Sequence, residues 1–178
     1  MPILEATSHQ ELTGLQLHVW PADSTQEQSI NFRNQIISKS REPHIEFWEP
    51  QDAIERFSDT TNYEKWASQG RIIIGLAQGA ELGGICYFGK KAMPVGFDQS
   101  PSVTVGIRMY ESMQGKGLAF PFFKQAHEVL RRYMSADRFW LSARVDNERA
   151  KHLYEKYGYV ERGTVAGLSI MTYDREDR

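Results

Sequence analysis

A β-branched run, a glycine-containing loop and a helical repeat follow one another in the second half of the chain. Residues 103–109 are mostly β-branched or apolar, which predicts a strand. From Leu118 onward, at the end of residues 114–119, apolar side chains recur at helical spacing, at Leu118, Phe122, Ala126, Val129, Leu130 and Tyr133. The pattern therefore predicts a strand that turns through glycines into the N-terminus of a helix.

A second strand and a second helix are predicted downstream. Residues 139–145 alternate between apolar and polar side chains, as a half-buried strand does. Either Asp146 or Asn147 suits the N-cap of the next helix, and Gly158 suits its C-terminal end. The intervening apolar face consists of Ala150, Leu153, Tyr154 and Tyr157.

The remaining elements are predicted with less regular patterns. Apolar runs at residues 71–77 and 82–88 flank a glycine turn and predict a hairpin. Residues 15–20 alternate and predict an edge strand. The other expected elements are helices at 30–37, 52–57 and 62–66, a long loop at 89–101 and closing strands at 163–173. This order predicts an α/β (α+β) domain with a mixed sheet and a strand–helix–strand crossover.

The glycine loop has the properties of an anion site. The first N–H groups of a helix have no partners within it, and the helix dipole favours negative charge there. Gly115 and Gly117 leave no side chain between that backbone and a phosphate. The loop is neither a P-loop, which needs Ser or Thr after Lys116, nor the dinucleotide fingerprint, which needs glycine in place of Phe120. The local pattern alone leaves a plain glycine turn as an equal alternative.

Two motifs in this region resemble those of one known family. The segment Gln114-Gly115-Lys116-Gly117-Leu118-Ala119 fits a phosphate loop that reads Arg/Gln-x-x-Gly-x-Gly/Ala. The later signature Asn-x-x-Ala-x-x-Leu-Tyr-x-Lys-x-Gly-Phe/Tyr is matched by Asn147, Ala150, Leu153, Tyr154, Lys156, Gly158 and Tyr159. In this order and at this separation, the motifs resemble the GNAT superfamily of acyl-CoA-dependent N-acyltransferases. The resemblance is clearest over residues 71–173.

The resemblance implies one N-acetyltransferase domain over residues 1–178 with acetyl-CoA as co-substrate. Its sheet is expected to be mixed and mostly antiparallel, with helices around it and a parallel strand pair that splays apart. The pantetheine arm is expected to enter that gap by strand addition, with the pyrophosphate on the loop. The implied cofactor-binding residues are Ile107, Met109, Gln114, Gly115, Lys116, Gly117, Leu118, Ala119, Asn147 and Tyr154.

The resemblance also implies the catalytic groups, except for a general base. The backbone N–H of Met109 is the implied oxyanion donor, and Tyr154 is the implied general acid. Periodicity alone makes Tyr154 a core aromatic residue. Many family members carry a glutamate on the strand before the loop, but residues 103–109 contain no carboxylate. The base is therefore left open among His44, Glu46, Glu49 and Glu81, a water chain, or an amine that is already partly neutral.

The acceptor is expected to bind near residues 24–66, and its identity is left open. Glu46, Trp48 and Glu49 are the candidate substrate residues, because carboxylates and aromatic rings attract a cationic amine. Three functions remain: an N-acetyltransferase of small primary amines, a protein N-terminal or lysine acetyltransferase, and a non-catalytic acyl-CoA-binding module. The resemblance also leaves open a homodimer.

Composition limits the partners. The 178 residues are 40% hydrophobic and carry a net charge of −2, so we expect no nucleic-acid or membrane partner. Residues 1–5 lack a signal-peptide pattern, and the lone Cys86 fits a reducing compartment, which predicts a cytoplasmic protein. Cys86 is expected to be a buried structural thiol. No metal site is expected, because the histidines show no ligand spacing.

Overall fold

Eight strands form one mixed sheet in the computed structural model, which describes residues 4–6, 12–134 and 136–174. Residues 1–3, part of the N-terminal segment considered above, and His9 lie outside the described residues. The strands are β1 (Leu4–Ala6), β2 (Gln16–Pro21), β3 (Ile72–Gln78), β4 (Glu81–Lys90), β5 (Val103–Met109), β6 (Arg138–Arg144), β7 (Val160–Val165) and β8 (Leu168–Asp174). Their order in the sheet is β1-β2-β3-β4-β5-β6-β8-β7.

Helices cover both faces of the sheet. They are α1 (Glu27–Lys39), α2 (Pro43–Trp48), α3 (Thr60–Ala67), α4 (Ala119–Tyr133) and α5 (Glu148–Tyr157), with a π-helical turn at Asp52–Arg56 and a 3₁₀ turn at Glu111–Met113. Local sequence signals set several of their ends. Pro43 opens α2, where its missing N–H costs nothing. Asp59 caps α3 by accepting a hydrogen bond from the N–H of Asn62 at 2.8 Å.

The predicted fold class is confirmed, and one strand assignment is wrong. The sheet is antiparallel throughout except for the parallel pair of β5 and β6. β5 covers the residues that the sequence predicted, and the predicted hairpin is β3 and β4. β2 is not an edge strand, because β1 pairs along its outer side. A strand of three residues is too short to show an alternating pattern, so the sequence did not reveal β1.

Two apolar layers hold the helices against the sheet. On one face, α4 and α5 pack on β5 and β6 through buried residues such as Phe122, Phe123 and Tyr154. On the other face, α1 and α3 pack through residues that include Phe32 and Trp66. Cys86 is fully buried, and burial raises the pKa of its thiol, so it is the structural thiol that the sequence predicted.

The parallel strands separate soon after they begin. β5 and β6 pair only through Val103 with Phe139 and Thr104 with Trp140. Both strands continue beyond these pairs, to Met109 and Arg144. The sheet is therefore open along the C-terminal halves of β5 and β6, and this opening positions the candidate site. Among the described helices, none has both the length and the apolar character needed to cross a bilayer.

Candidate active site

The opening between β5 and β6 exposes backbone groups of β5. The N–H of Tyr110 donates to the carbonyl oxygen of Gly83 at 2.9 Å. The next pair, Met109 and Gly84, therefore occupies a non-hydrogen-bonded position of the antiparallel ladder. At such a position the N–H and C=O of Met109 point away from β4 and into the opening, and the same holds for Ile107 two residues earlier. An extended ligand in the opening would find a strand edge to pair with.

The carbonyl of Met109 already has protein partners. It accepts a hydrogen bond from Nε2 of His44 at 2.9 Å and a longer one from Nε2 of Gln114 at 3.4 Å. Because a carbonyl can only accept, His44 is the donor here, and its Nε2 carries the hydrogen. The N–H of Met109 is left as the group that the strand end presents to a ligand.

The glycine loop lies beyond this strand end and leads into α4. Gly115 and Gly117 have φ of 70° and 71°, a conformation that side chains rarely adopt. A Cβ added at either glycine would have no heavy atom within 4 Å, so the space in front of the loop is open. No side chain caps the start of α4 at Leu118. In this first turn Pro121 has no N–H, so the N–H groups of Ala119 and Phe120 remain to hold an anion.

A cavity of about 200 Å³, open to solvent, runs from this loop into the opening. Of the candidate residues from the sequence, it brings together Ile107, Met109, Gln114, Ala119, Asn147, Tyr154, His44, Trp48 and Glu49. Gly115, Lys116 and Gly117 are exposed beside the lining residues Gln114 and Ala119, with Leu118 half-buried among them. Glu46 is exposed on α2 and does not line this cavity.

Tyr154 and Asn147 both have structural roles in addition to their places in the cavity. The Tyr154 side chain is 6% exposed and packs beside the rings of Phe123 and Tyr159. Burial, with a further contribution from the charge of Glu49, raises the pKa of the Tyr154 phenol above its ordinary value. The hydroxyl therefore keeps its proton at neutral pH. Asn147 is the N-cap of α5, and its Oδ1 accepts a hydrogen bond from the N–H of Ala150 at 3.1 Å.

A buried ion pair at this site was not found from the sequence. On the face of β5 opposite α4, Nε of Arg108 lies 2.5 Å from Oδ2 of Asp52. Nη2 of Arg108 also lies 2.8 Å from Oε2 of Glu49. The side chains of Arg108 and Asp52 are 5% and 1% exposed. The one signal in the sequence was a charged residue within an otherwise uncharged strand.

A second, smaller cavity of about 80 Å³ lies on this opposite face. It shares Glu49, Arg108 and Tyr154 with the first cavity, so these three residues form the wall between the two. Its other lining residues are Arg56, Trp66, Arg71, Tyr87, Lys91, Thr104, Val105, Gly106, Trp140 and Ser142. The two cavities give access to Tyr154 from both faces of the open sheet.

The structure narrows the expected acceptor region. Phe32, Phe57 and Tyr63 are core residues with at most 1% exposure, so they are not available to a ligand. Asp52 is engaged with Arg108, and Glu81 lies at the β3–β4 turn, where its Oε1 is 3.4 Å from Nζ of Lys39. Within the described part of the chain, no cluster of three or more potential metal ligands occurs.

A family model for GNAT acetyltransferases matches residues 30–159, which include both motifs and the residues shared by the two cavities. The chain belongs to the GNAT acetyltransferase family. No curated protein matches the sequence.

Solved structures with the same fold include other GNAT acetyltransferases, all at low sequence identity. The ribosomal-protein-S5-alanine acetyltransferase from Vibrio fischeri has a TM-score of 0.69 at 13% identity, over 98% of both chains. The aminoglycoside acetyltransferase AAC(6')-Ib, in complex with coenzyme A and kanamycin, has a TM-score of 0.69 at 17% identity, over 91% of this chain and 95% of that one. A spermidine N-acetyltransferase chimera of Vibrio cholerae SpeG and hSSAT has a TM-score of 0.64 at 17% identity, over 93% of this chain and 100% of that one.

These GNAT structures act on different acceptors, so the fold does not identify the acceptor of this chain. The AAC(6')-Ib structures were solved with acetyl-CoA or coenzyme A. Both GNAT motifs of this chain contribute residues to the first cavity and its loop. The second cavity contains no motif residue except Tyr154, and it must be interpreted from its own side chains.

Proposed function

We propose that this chain transfers the acetyl group of acetyl-CoA to a primary amine of a small molecule, by direct attack within a ternary complex. The observation that carries the proposal is the continuity of the first cavity. One surface connects the glycine loop, the exposed edge of β5 and the hydroxyl-bearing Tyr154. The co-substrates of the AAC(6')-Ib structures support the same choice of donor.

The residues of the first cavity fit acetyl-CoA. The open backbone of Gly115 and Gly117 and the uncapped start of α4 suit the pyrophosphate. Ile107 and Met109 offer strand-edge groups to the amides of the pantetheine arm, with Asn147 on the opposite side of the opening. Gln114, Lys116, Leu118 and Ala119 complete the proposed loop contacts.

Three residues divide the chemistry of transfer among them. Glu49 accepts the proton that the acceptor ammonium must lose before its nitrogen can bond to the acetyl carbon. The N–H of Met109 donates to the oxygen that gains charge as this bond forms. Tyr154 gives its proton to the sulfur as the C–S bond breaks, and it regains one from the nitrogen that becomes the amide. The products are an acetamide, a free thiol and one proton.

Glu49 is our choice of base because of its position. Of the four candidates, Glu46 is exposed outside the cavity, and Glu81 pairs with Lys39 at the hairpin. His44 donates through Nε2 to the Met109 carbonyl. Glu49 lies in the wall between the two cavities, so an amine that entered from the second cavity would meet it beside Tyr154. Trp48 precedes it and lines only the first cavity.

A small-molecule acceptor is favoured over a protein by the small size of the second cavity. A space of about 80 Å³ between the rings of Trp66, Tyr87 and Trp140 suits a compact ligand. We also propose a cytoplasmic location, since the buried Cys86 needs no oxidising compartment.

We further propose that two copies of the chain pair through the exposed edge of β7, where Val160 and Val165 are 45% and 36% exposed. Light scattering tests this homodimer.

The first experiment is a calorimetric titration with acetyl-CoA. The parent protein is expected to bind, and Gly117→Glu is expected to lose binding because its carboxylate would occupy the pyrophosphate position. Two controls separate charge from backbone strain. Gly117→Ala carries the same strain without the carboxylate, and Gly79→Glu places the same residue at a positive-φ turn outside the site.

A thiol-release assay over a panel of primary amines then tests transfer itself. Binding without thiol release for any amine would favour the non-catalytic acyl-CoA-binding module. Release only with peptides would favour the protein acetyltransferase. No binding by the parent protein would refute the proposed function.

A further inference from the structure

The second cavity follows β5 away from the proposed catalytic centre. Thr104, Gly106 and Arg108 line it from β5. Arg108 and Thr104 are four positions apart on β5, which corresponds to a distance of roughly 13 Å at about 3.3 Å per residue. Arg108 lies at the end shared with Glu49 and Tyr154. Arg71 lies at the other end, because its Nη1 would be 2.9 Å from a Cβ on Gly89, the residue that pairs with Thr104.

Cations outnumber carboxylates in this cavity. Among its described lining residues, Arg56, Arg71, Lys91 and Arg108 are cationic and Glu49 alone is acidic. Arg108 and Arg56 are both neutralised from the protein, since each forms ion pairs with Glu49 and with the buried Asp52.

Arg71 and Lys91 lack this compensation. No carboxylate of the described residues lies within 4.0 Å of either side chain. The Arg71 side chain is buried, and its Nη2 donates to Oε1 of Gln69 at 2.9 Å. A neutral amide oxygen leaves the charge of the guanidinium uncompensated, which points to a ligand that supplies an anion.

Aromatic rings support both unpaired cations. The guanidinium of Arg71 lies 5.0 Å from the ring centre of Trp66, and Nζ of Lys91 lies 5.8 Å from that of Trp140. Burial, followed by the charges of Arg71 and Arg56, lowers the pKa of Lys91. The cations therefore repel one another across the cavity, and a bound anion would relieve that repulsion.

We propose that the second cavity is the acceptor site, and that the acceptor is an amine that carries a carboxylate several bonds from its nitrogen. Arg71 and Lys91 bind the carboxylate, and the amine reaches Glu49 and Tyr154 at the other end. The assignment of the amine rests on the acetyltransferase function proposed above. The assignment of the anion site rests on the cavity alone.

Turnover with matched acceptors tests the whole proposal. The series is glycine, 4-aminobutyrate and 6-aminohexanoate, each beside its neutral carboxamide, with spermidine as a polycationic comparison. We expect kcat/KM to rise with chain length. We also expect 6-aminohexanoate to exceed its amide and spermidine by at least tenfold. Equal or better turnover of the amides or of spermidine would overturn the proposal.

The anion site is tested separately by a binding measurement that needs no acetyl-CoA. The probes are 6-acetamidohexanoate and its neutral amide, and the signal is the fluorescence of Trp66 and Trp140 in the cavity wall. The carboxylate is expected to bind at least tenfold more tightly. Equal binding of the two probes, or binding of neither at millimolar concentration, would overturn the anion site even if the enzyme acetylates other amines.

Variants of two neighbouring exposed lysines identify which group binds the carboxylate. Lys91→Gln is expected to weaken binding of the carboxylate probe at least fivefold without changing binding of the amide probe. Lys91→Arg is expected to restore binding of the carboxylate probe. Lys90→Gln is the matched control, because Lys90 is the neighbouring exposed lysine but does not line this cavity. Equal effects of the Lys90 and Lys91 changes would refute a specific contact. Loss of the carboxylate preference with normal acetyl-CoA binding would leave the proposed function intact.

Discussion

A buried histidine should make the stability of this protein depend on pH. His127 on α4 is fully buried, and its Nε2 lies 2.9 Å from the hydroxyl of Tyr159. Burial raises the pKa of Tyr159, so its hydroxyl remains protonated and donates to Nε2. The remaining hydrogen of a neutral ring then lies on Nδ1, which has no partner. Burial, with the charge of Arg131, lowers the pKa of His127 to about 3.

The sign and size of this pH dependence follow from proton linkage. With a folded-state pKa of about 3 and an ordinary value of 6.5, only the unfolded chain takes up this proton between those values. The stabilising contribution is therefore complete above about pH 6.5 and is lost as the pH falls toward 3. Each pH unit in this window costs about 1.4 kcal/mol, so from pH 8 to pH 5 the loss is about 2 kcal/mol.

Urea unfolding at pH 8 and pH 5 measures this loss, with His127→Gln as the variant. Gln can accept the Tyr159 hydrogen bond but does not titrate, so the pH-dependent loss should be smaller by about 2 kcal/mol. His152→Gln is the control, because His152 is exposed on α5 and contacts water in both states. If His127→Gln and the parent lose the same free energy of unfolding, His127 does not remain neutral in the core and the reasoning is refuted.

Three further predictions concern the site. Tyr154→Phe should lower kcat by roughly 10²- to 10⁴-fold at unchanged affinity for acetyl-CoA, and unchanged turnover would eliminate Tyr154 as the acid. Glu49→Gln should lower kcat/KM most at neutral pH and less at high pH, where the amine loses its proton unaided; a defect independent of pH would argue against Glu49 as the base. Gly106→Ala should destabilise the fold by about 1–3 kcal/mol in urea unfolding, because its Cβ would lie 2.2 Å from Cζ of Tyr87. An unchanged midpoint would show that Tyr87 moves aside freely.

The elements that form the proposed cofactor site could be predicted from the sequence because their signals are local. The bounds of β5, the glycine loop and the Asn147 cap of α5 each depend on residues within a few positions of one another. Hydrophobic period and capping chemistry are short-range properties, so one sequence is enough to find them. The direction of the N–H of Met109, the proposed oxyanion donor, needed one further fact: the register of β4 against β5, which places Met109 at a non-hydrogen-bonded position.

The proposed acceptor side could not be predicted because its contacts join distant parts of the chain. Arg108 and Asp52 are 56 positions apart, and their ion pair depends on how the π-helical turn packs against β5. The sequence indicated aromatic rings and carboxylates near residues 24–66, but most of those rings are core residues. No hydrophobic period distinguishes a carboxylate that faces a ligand from one that pairs with a buried arginine.

The arginine on β5 explains why the proposed acceptor side has no excess of negative charge. β5 contains no carboxylate, and its Arg108 forms ion pairs with both Asp52 and Glu49. Isolated burial of one charge is expensive, so the buried Asp52 is required by Arg108. Glu49 pairs with Arg108 and Arg56 and is the one of these two carboxylates that lines both cavities. Arg71 and Lys91 take no part in that network. No carboxylate of the described residues offsets their charges, which is why we propose a carboxylate-bearing amine as the acceptor.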